Sequence, residues 1–102
     1  LQQAGVPVAI ASDNCRDPFY GYGDHDALEV FTWSTKIAHL DRPYSNWCRA
    51  ITSPPADLMH LPTVGRIGVG LPADLVLCRA RRYSELFSRH QHDRVVIRQG
   101  QA

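Results

Sequence analysis

Val6-Pro7-Val8-Ala9-Ile10-Ala11-Ser12-Asp13-Asn14-Cys15-Arg16-Asp17-Pro18-Phe19 decides how the chain is read. A run of apolar, partly β-branched residues stops at a carboxylate, and a polar loop with a proline follows. Buried parallel strands read as continuous apolar runs. In α/β folds the chemistry gathers where such strands end. Val6 to Ala11 is therefore expected to be a buried strand, with Pro7 tolerated near its start because proline has no N–H to give a ladder. Asp13 is then a carboxylate delivered to a strand end. The same residues allow a plainer reading, in which Asp13 and Asn14 hold a turn through their own backbone.

Around this stretch the chain divides simply. Leu1 to Gly5 reads as the tail of a helix stopped by glycine. Cys15 to Gly23 is a loop rich in glycine, proline and tyrosine. Asp17-Pro18 marks a turn, and Gly21-Tyr22-Gly23 supplies backbone freedom. Its aromatics Phe19, Tyr20 and Tyr22 suit either the wall of a flat pocket or the cover of a core. Asp24 to Leu40 reads as a helix. Asp26 and Glu29 form a capping-box pair, and Ala27, Val30, Phe31, Ser34, Ile37 and Ala38 make an apolar stripe. His25 and His39 fall at its ends as surface residues. Asp41-Arg42-Pro43 breaks this helix and Tyr44 to Ile51 forms a short second one. Ser53 reads as an N-cap with Pro54 at the first helical position, and Ala56 to Leu61 follows.

A second patterned stretch is Thr52-Ser53-Pro54-Pro55-Ala56-Asp57-Leu58-Met59-His60-Leu61. It runs on to Gly65-Arg66-Ile67-Gly68-Val69-Gly70-Leu71-Pro72-Ala73-Asp74-Leu75-Val76-Leu77. Arg66 to Val69 and Asp74 to Cys78 read as strands joined by the Gly70-Leu71-Pro72-Ala73 turn, which Asp74 is expected to hold. Tyr83 to Ser88 reads as a helical turn, Asp93 to Gln99 as a strand and Gly100 as its turn.

Together these stretches resemble the amidohydrolase superfamily. Ser12-Asp13-Asn14 with Asp17-Pro18-Phe19-Tyr20 is similar to the last barrel strand and loop of its cytosine deaminases. Gly65 to Leu77 is similar to the segment where the chain leaves the barrel for a small β-sandwich. The resemblance implies an α+β chain that carries the last strand and helix of a (β/α)₈ barrel plus part of that sandwich. Residues 1–62 hold the last strand, active-site loop and following helices; residues 63–102 are the sandwich segment. A complete barrel takes about 250 residues, so 102 residues opening on Leu1 are expected to be a C-terminal piece of a longer protein.

The function implied is hydrolytic deamination of cytosine or a related ring, with iron or zinc as the divalent metal. By the resemblance Asp13 is a metal ligand and the proton-handling catalytic residue. Asn14 stands where relatives carry a second aspartate, and Phe19 stands where an aromatic packs over the base; both are substrate-binding by implication. Metal sites need three or four ligands. Alone, this chain is expected to bind no metal tightly and to be inactive. The alternative is a small non-catalytic domain that self-associates into a homo-oligomer through exposed barrel surfaces.

Composition narrows the partners. Eleven basic against 10 acidic side chains give no electrostatic case for nucleic acid. Arg79, Arg81, Arg82, Arg89, Arg94 and Arg98 cluster late, but without a glycine-rich cradle or interleaved aromatics they read as solvated. No apolar run approaches the ~20 residues of a membrane span. Cys15, Cys48 and Cys78 form no paired set, which fits a reducing, cytoplasmic setting. His90-Gln91-His92 sits in a polar connection and reads as an exposed loop.

Overall fold

The computed structural model describes residues 4–41 and 44–102. Its order is helix α1 (Ala27–Ala38), helix α2 (Tyr44–Trp47), a 3₁₀ turn (Cys48–Ile51), helix α3 (Ser53–Leu58), strand β1 (Leu75–Leu77), helix α4 (Tyr83–Ser88) and strand β2 (Val95–Ile97). The class is α+β, with one two-stranded sheet among the described residues. Leu1 to Gln3 of the expected helix tail, and Arg42 and Pro43 of the break, lie outside the described residues.

Helix α1 begins where Asp26 accepts the amides of Leu28 (3.0 Å) and Glu29 (3.4 Å), satisfying two of the donors a helix start leaves open. The capping box is not reciprocal. The Asp26 amide donates to Asp24 at 3.0 Å instead of to Glu29. The helix ends at His39, which takes a left-handed conformation (φ 54°) and donates its amide to the Thr35 carbonyl. The buried face is narrower than the stripe, comprising Phe31 and Thr35, whereas Ile37 is 74% exposed. The 3₁₀ turn and the Phe87 ring of α4 press on this helix.

The core is small: Phe31, Ala50, Ala56 and Phe87. Phe31 meets Phe87 edge-on, with ring centroids 5.4 Å apart, the arrangement that puts a positive ring edge on a negative face. Gln91, also buried, donates its amide to the carbonyls of Glu85, Leu86 and Arg89, which closes the C-terminal end of α4. Arg94, just before β2, reaches Asp26 at 2.6 Å. That pair ties the start of α1 to the sheet.

β1 and β2 pair antiparallel, Leu75 with Ile97, Val76 with Val96 and Leu77 with Val95. Gln99 and Gly100, both at positive φ, turn the chain back so that Arg98 and Gln101 exchange amide bonds. Two successive positive φ values make the tight turn that matches strand twist. Asp74 does not hold its own turn. It accepts the Gln99 amide at 2.8 Å, across the sheet end.

Three expectations are corrected. Val6 to Ala11 is extended but unpaired; its ladder is reduced to one bond, Ile10 N–H to the Ala50 carbonyl at 2.8 Å. Arg66 to Val69 is not a strand, and Ile67 and Val69 stand in solvent. A strand exists only as a pairing, and among the described residues no edge is offered to either run. At α3, Thr52 takes the cap position and Ser53 is already helical. The Thr52 hydroxyl instead points back to the Cys48 and Arg49 carbonyls.

The molecule exposes more than its mass requires. A compact monomer of this size shows roughly 5,800 Å² of surface, and this chain shows 7910 Å². Its radius of gyration is 14.3 Å, against about 13 Å for a compact domain of this length.

Gly65 is the backbone position on which the turn after α3 depends. It sits at φ +69°, and a Cβ there would lie 2.5 Å from the Thr52 carbonyl oxygen. Gly70 also has positive φ (+81°) but faces open space. Gly70→Ala is expected to cost the conformational strain alone, about 1–2 kcal/mol. Gly65→Ala is expected to cost clearly more in urea unfolding. Equal costs would show that the Thr52 approach does not constrain the turn.

Candidate functional site

The site is built by the loop that follows the extended run. Asp17 is its centre. One carboxylate oxygen accepts the amides of Phe19 (2.9 Å) and Tyr20 (3.0 Å); the other accepts the Asn14 side-chain amide (2.9 Å) and the Cys15 amide (3.3 Å). Four donors on one carboxylate fold residues 14–20 into a tight turn. The Asn14 hydrogen bond, followed by the bond from Tyr20, holds the Asp17 carboxyl below the ordinary aspartate value of 3.8.

The loop is then closed at its base. The Cys15 thiol donates to the Gly23 carbonyl at 2.9 Å. Gly23 is buried so tightly that a Cβ would stand 2.6 Å from the Asn14 carbonyl oxygen. Ser12 Oγ lies 3.4 Å from Nδ1 of His25.

Asp13 sits inside this closure. It is exposed, and its backbone is left-handed at φ 58°, a conformation that costs a non-glycine residue about 1–3 kcal/mol. Among the described residues no donor reaches its carboxylate. The plain reading, a carboxylate spent on holding a turn, therefore belongs to Asp17 and not to Asp13.

The other expected site residues are placed differently. Asn14 is half-buried and committed through its amide to Asp17. That bond explains the residue type. An aspartate at position 14 would set a second negative charge against Asp17, whereas an amide donates to it. Phe19 is fixed by its backbone while its ring is 86% exposed. Tyr20 and Tyr22 meet edge-on at 6.1 Å on the same loop. The structure thus brings Asn14, Asp17 and the Phe19 backbone together, with Asp13 adjacent and its carboxylate free among the described residues.

The sequence reading marks Asp17-Pro18 as a turn and Gly21-Tyr22-Gly23 as flexible backbone, but assigns no part in the site to Asp17, Cys15 or Gly23. An aspartate that bonds amides two and three positions on is a recognisable turn residue. The Cys15–Gly23 contact has no local sequence signal.

Asp13 offers one donor to a metal, and three or four are needed. Among the described residues the group of acidic, histidine or cysteine donors close enough to share an ion is Asp24, Asp26 and Glu29. Asp26 there is occupied by the helix cap and by Arg94. Burial raises the Asp26 carboxyl, but the Arg94 bond and charge and the Glu29 and Leu28 amides outweigh it and leave it lowered. A guanidinium already neutralises that group, so it does not suit a cation. His90 and His92 stack at 5.3 Å and are exposed. Among the described residues the donors present do not make a metal site with Asp13.

The lowered Asp17 value fixes a pH dependence. A carboxylate whose folded pKa is depressed contributes above its unfolded pKa, and the contribution disappears as pH falls through the folded value. The Cys15, Phe19 and Tyr20 amides are expected to lose hydrogen-exchange protection as the pH drops below 3.8. Asp17→Ala is expected to remove that protection at neutral pH, leaving α1 protected. Unchanged exchange of these amides in Asp17→Ala would contradict the loop's dependence on Asp17.

Comparison with known proteins gives the family of the chain. No solved structure matches the chain. A protein of Rhizobium rhizogenes strain K84 described as a pterin deaminase is 57% identical over 100 residues, covering 98% of this chain and 23% of that protein. The chain thus spans about a quarter of that relative's length. A model of the amidohydrolase family matches residues 1–101, nearly the whole chain, and the chain belongs to that family.

Proposed function

We propose that this chain is the segment of a hydrolytic deaminase that presents Asp13 to a ring substrate, and that the ring is a pterin. The observation that carries the reading is the Asp13 carboxylate, exposed, unengaged among the described residues and held in left-handed backbone at the end of an extended apolar run. The choice of ring rests on the pterin deaminase similarity. The cytosine expected from the sequence gains no support from that relative, and a bicyclic pterin replaces it here.

The reaction is addition of water to the ring carbon that bears the amine, followed by loss of ammonia. A divalent metal, when bound, would supply acidified water near neutral pH. Asp13 accepts a proton from the attacking water and returns it to the departing nitrogen. The carbon passes through a tetrahedral state and ends as a carbonyl. Phe19 forms one wall of the ring site, and Asn14 shapes it through its remaining polar atoms.

The excess surface supports a chain that works packed against more protein. The same area favours a second reading, a self-associating module without catalysis. The two separate in one experiment. A full-length protein carrying this chain as its matched segment, with the Rhizobium relative supplying the rest, is assayed for ammonia release from pterin and from cytosine. Turnover of pterin over cytosine is expected, with Asp13→Asn lowering kcat by about 10²-fold or more. Wild-type turnover in Asp13→Asn would overturn the role given to Asp13. The isolated chain is expected to release no ammonia with added Fe²⁺ or Zn²⁺, and measurable turnover would contradict this.

A further inference from the structure

We infer that Cys15, Gly23 and His25 are positioning residues that clasp Asp13 in its left-handed conformation. The inference rests on the role proposed for Asp13 and goes beyond it by naming what holds that carboxylate in place. Two contacts bracket Asp13 along the chain. On its N-terminal side Ser12 Oγ lies 3.4 Å from His25 Nδ1. On its C-terminal side the Cys15 thiol donates to the Gly23 carbonyl at 2.9 Å. Between them the Asn14 carbonyl oxygen lies where a Gly23 Cβ would come within 2.6 Å.

The physical need for the clasp follows from Asp13 itself. Positive φ costs a non-glycine residue, aspartate less than most, so its surroundings help hold it there. The Asp13 carboxylate has no partner of its own among the described residues, so its side chain cannot supply that restraint. The restraint comes from its neighbours, which are pinned to the Gly23–His25 strip. That strip is itself fixed. Asp26 follows at once, with its amide on Asp24 and its carboxylate on α1 and Arg94. Arg94 thus anchors the strip against the sheet, and the strip anchors Asp13. His25 also adopts positive φ (63°), which turns its ring toward Ser12.

The clasp accounts for the glycine at position 23, which the loop's shape alone does not require, and gives the Cys15 thiol a role. Gly23 has no positive φ demanding glycine, yet its missing Cβ is what lets Asn14 approach. Cys15 is one of three free cysteines, and its use here is as a donor to a backbone carbonyl, a task a serine hydroxyl can also perform.

The test uses the same full-length protein. Cys15→Ala, His25→Ala and Gly23→Ala are compared with Asp13→Asn for kcat, KM, thermal midpoint and bound metal per chain after purification. Cys15→Ala and His25→Ala are expected to lower kcat about tenfold or more with KM within twofold, because misplacing a reacting group costs rate more than binding. Metal content is expected to fall with kcat while the thermal midpoint moves little. Cys15→Ser is expected to restore both. Gly23→Ala is expected to be the most severe; should it fail to fold, the other two variants decide. Wild-type kcat and metal content in folded Cys15→Ala and His25→Ala, with Asp13→Asn inactive, would overturn the clasp. So would a fall in thermal midpoint alone. An active Asp13→Asn would instead remove the proposed role of Asp13.

Discussion

The Asp26 carboxylate is the junction on which the rest of the structure depends. One oxygen closes the start of α1 through the Leu28 and Glu29 amides; the other takes the Arg94 guanidinium from 68 positions away. Both partners are largely screened from solvent, so the pair acts in a medium less polar than bulk water. The pair joins the start of the helix that carries Phe31 to the residue just before β2, while the Phe31–Phe87 ring contact joins that helix to α4. Among the described residues the apolar core is small, Phe31, Ala50, Ala56 and Phe87, and apolar burial alone sets little direction. The ion pair supplies the direction that apolar burial, being non-directional, does not.

Local features of the fold were legible because they are decided locally. Tyr83 to Ser88 forms the helical turn its pattern predicts, and Gly100 turns the chain after β2. Asp26 caps α1 as an aspartate before an apolar stripe should. Legibility stopped where an element needs a distant partner. Val6 to Ala11 and Arg66 to Val69 have strand composition, yet composition cannot supply the neighbouring edge. The apolar stripe of α1 ran wider than its buried face for the same reason, leaving Ile37 and half of Trp33 exposed. The 7910 Å² of exposed area is large for a chain of this mass.

The loop shows the limit at finer scale. Two aspartates four residues apart carry opposite assignments, and the sequence alone supports either order. Hydrogen bonding separates them: Asp17 takes four donors and Asp13 none among the described residues. Asn14 then becomes intelligible as the neutral partner Asp17 requires, and not only as a departure from the aspartate of related enzymes. The family follows from the match over residues 1–101. The ring substrate is the part least legible in such a loop, because the apolar face of Phe19 reads no heterocycle against another and the tyrosine hydroxyls nearby fit several rings.

The most direct measurement is the structure of the full-length, metal-loaded protein, with the ion located by its anomalous scattering. The ion is expected beside the Asp13 carboxylate, among donors the described residues of this chain do not supply, with Asp13 still at positive φ and Asp17 still bonded to its four donors. An ion bound elsewhere, with Asp13 relaxed to negative φ or turned into a backbone cap, would contradict the assignment of Asp13 as the working carboxylate.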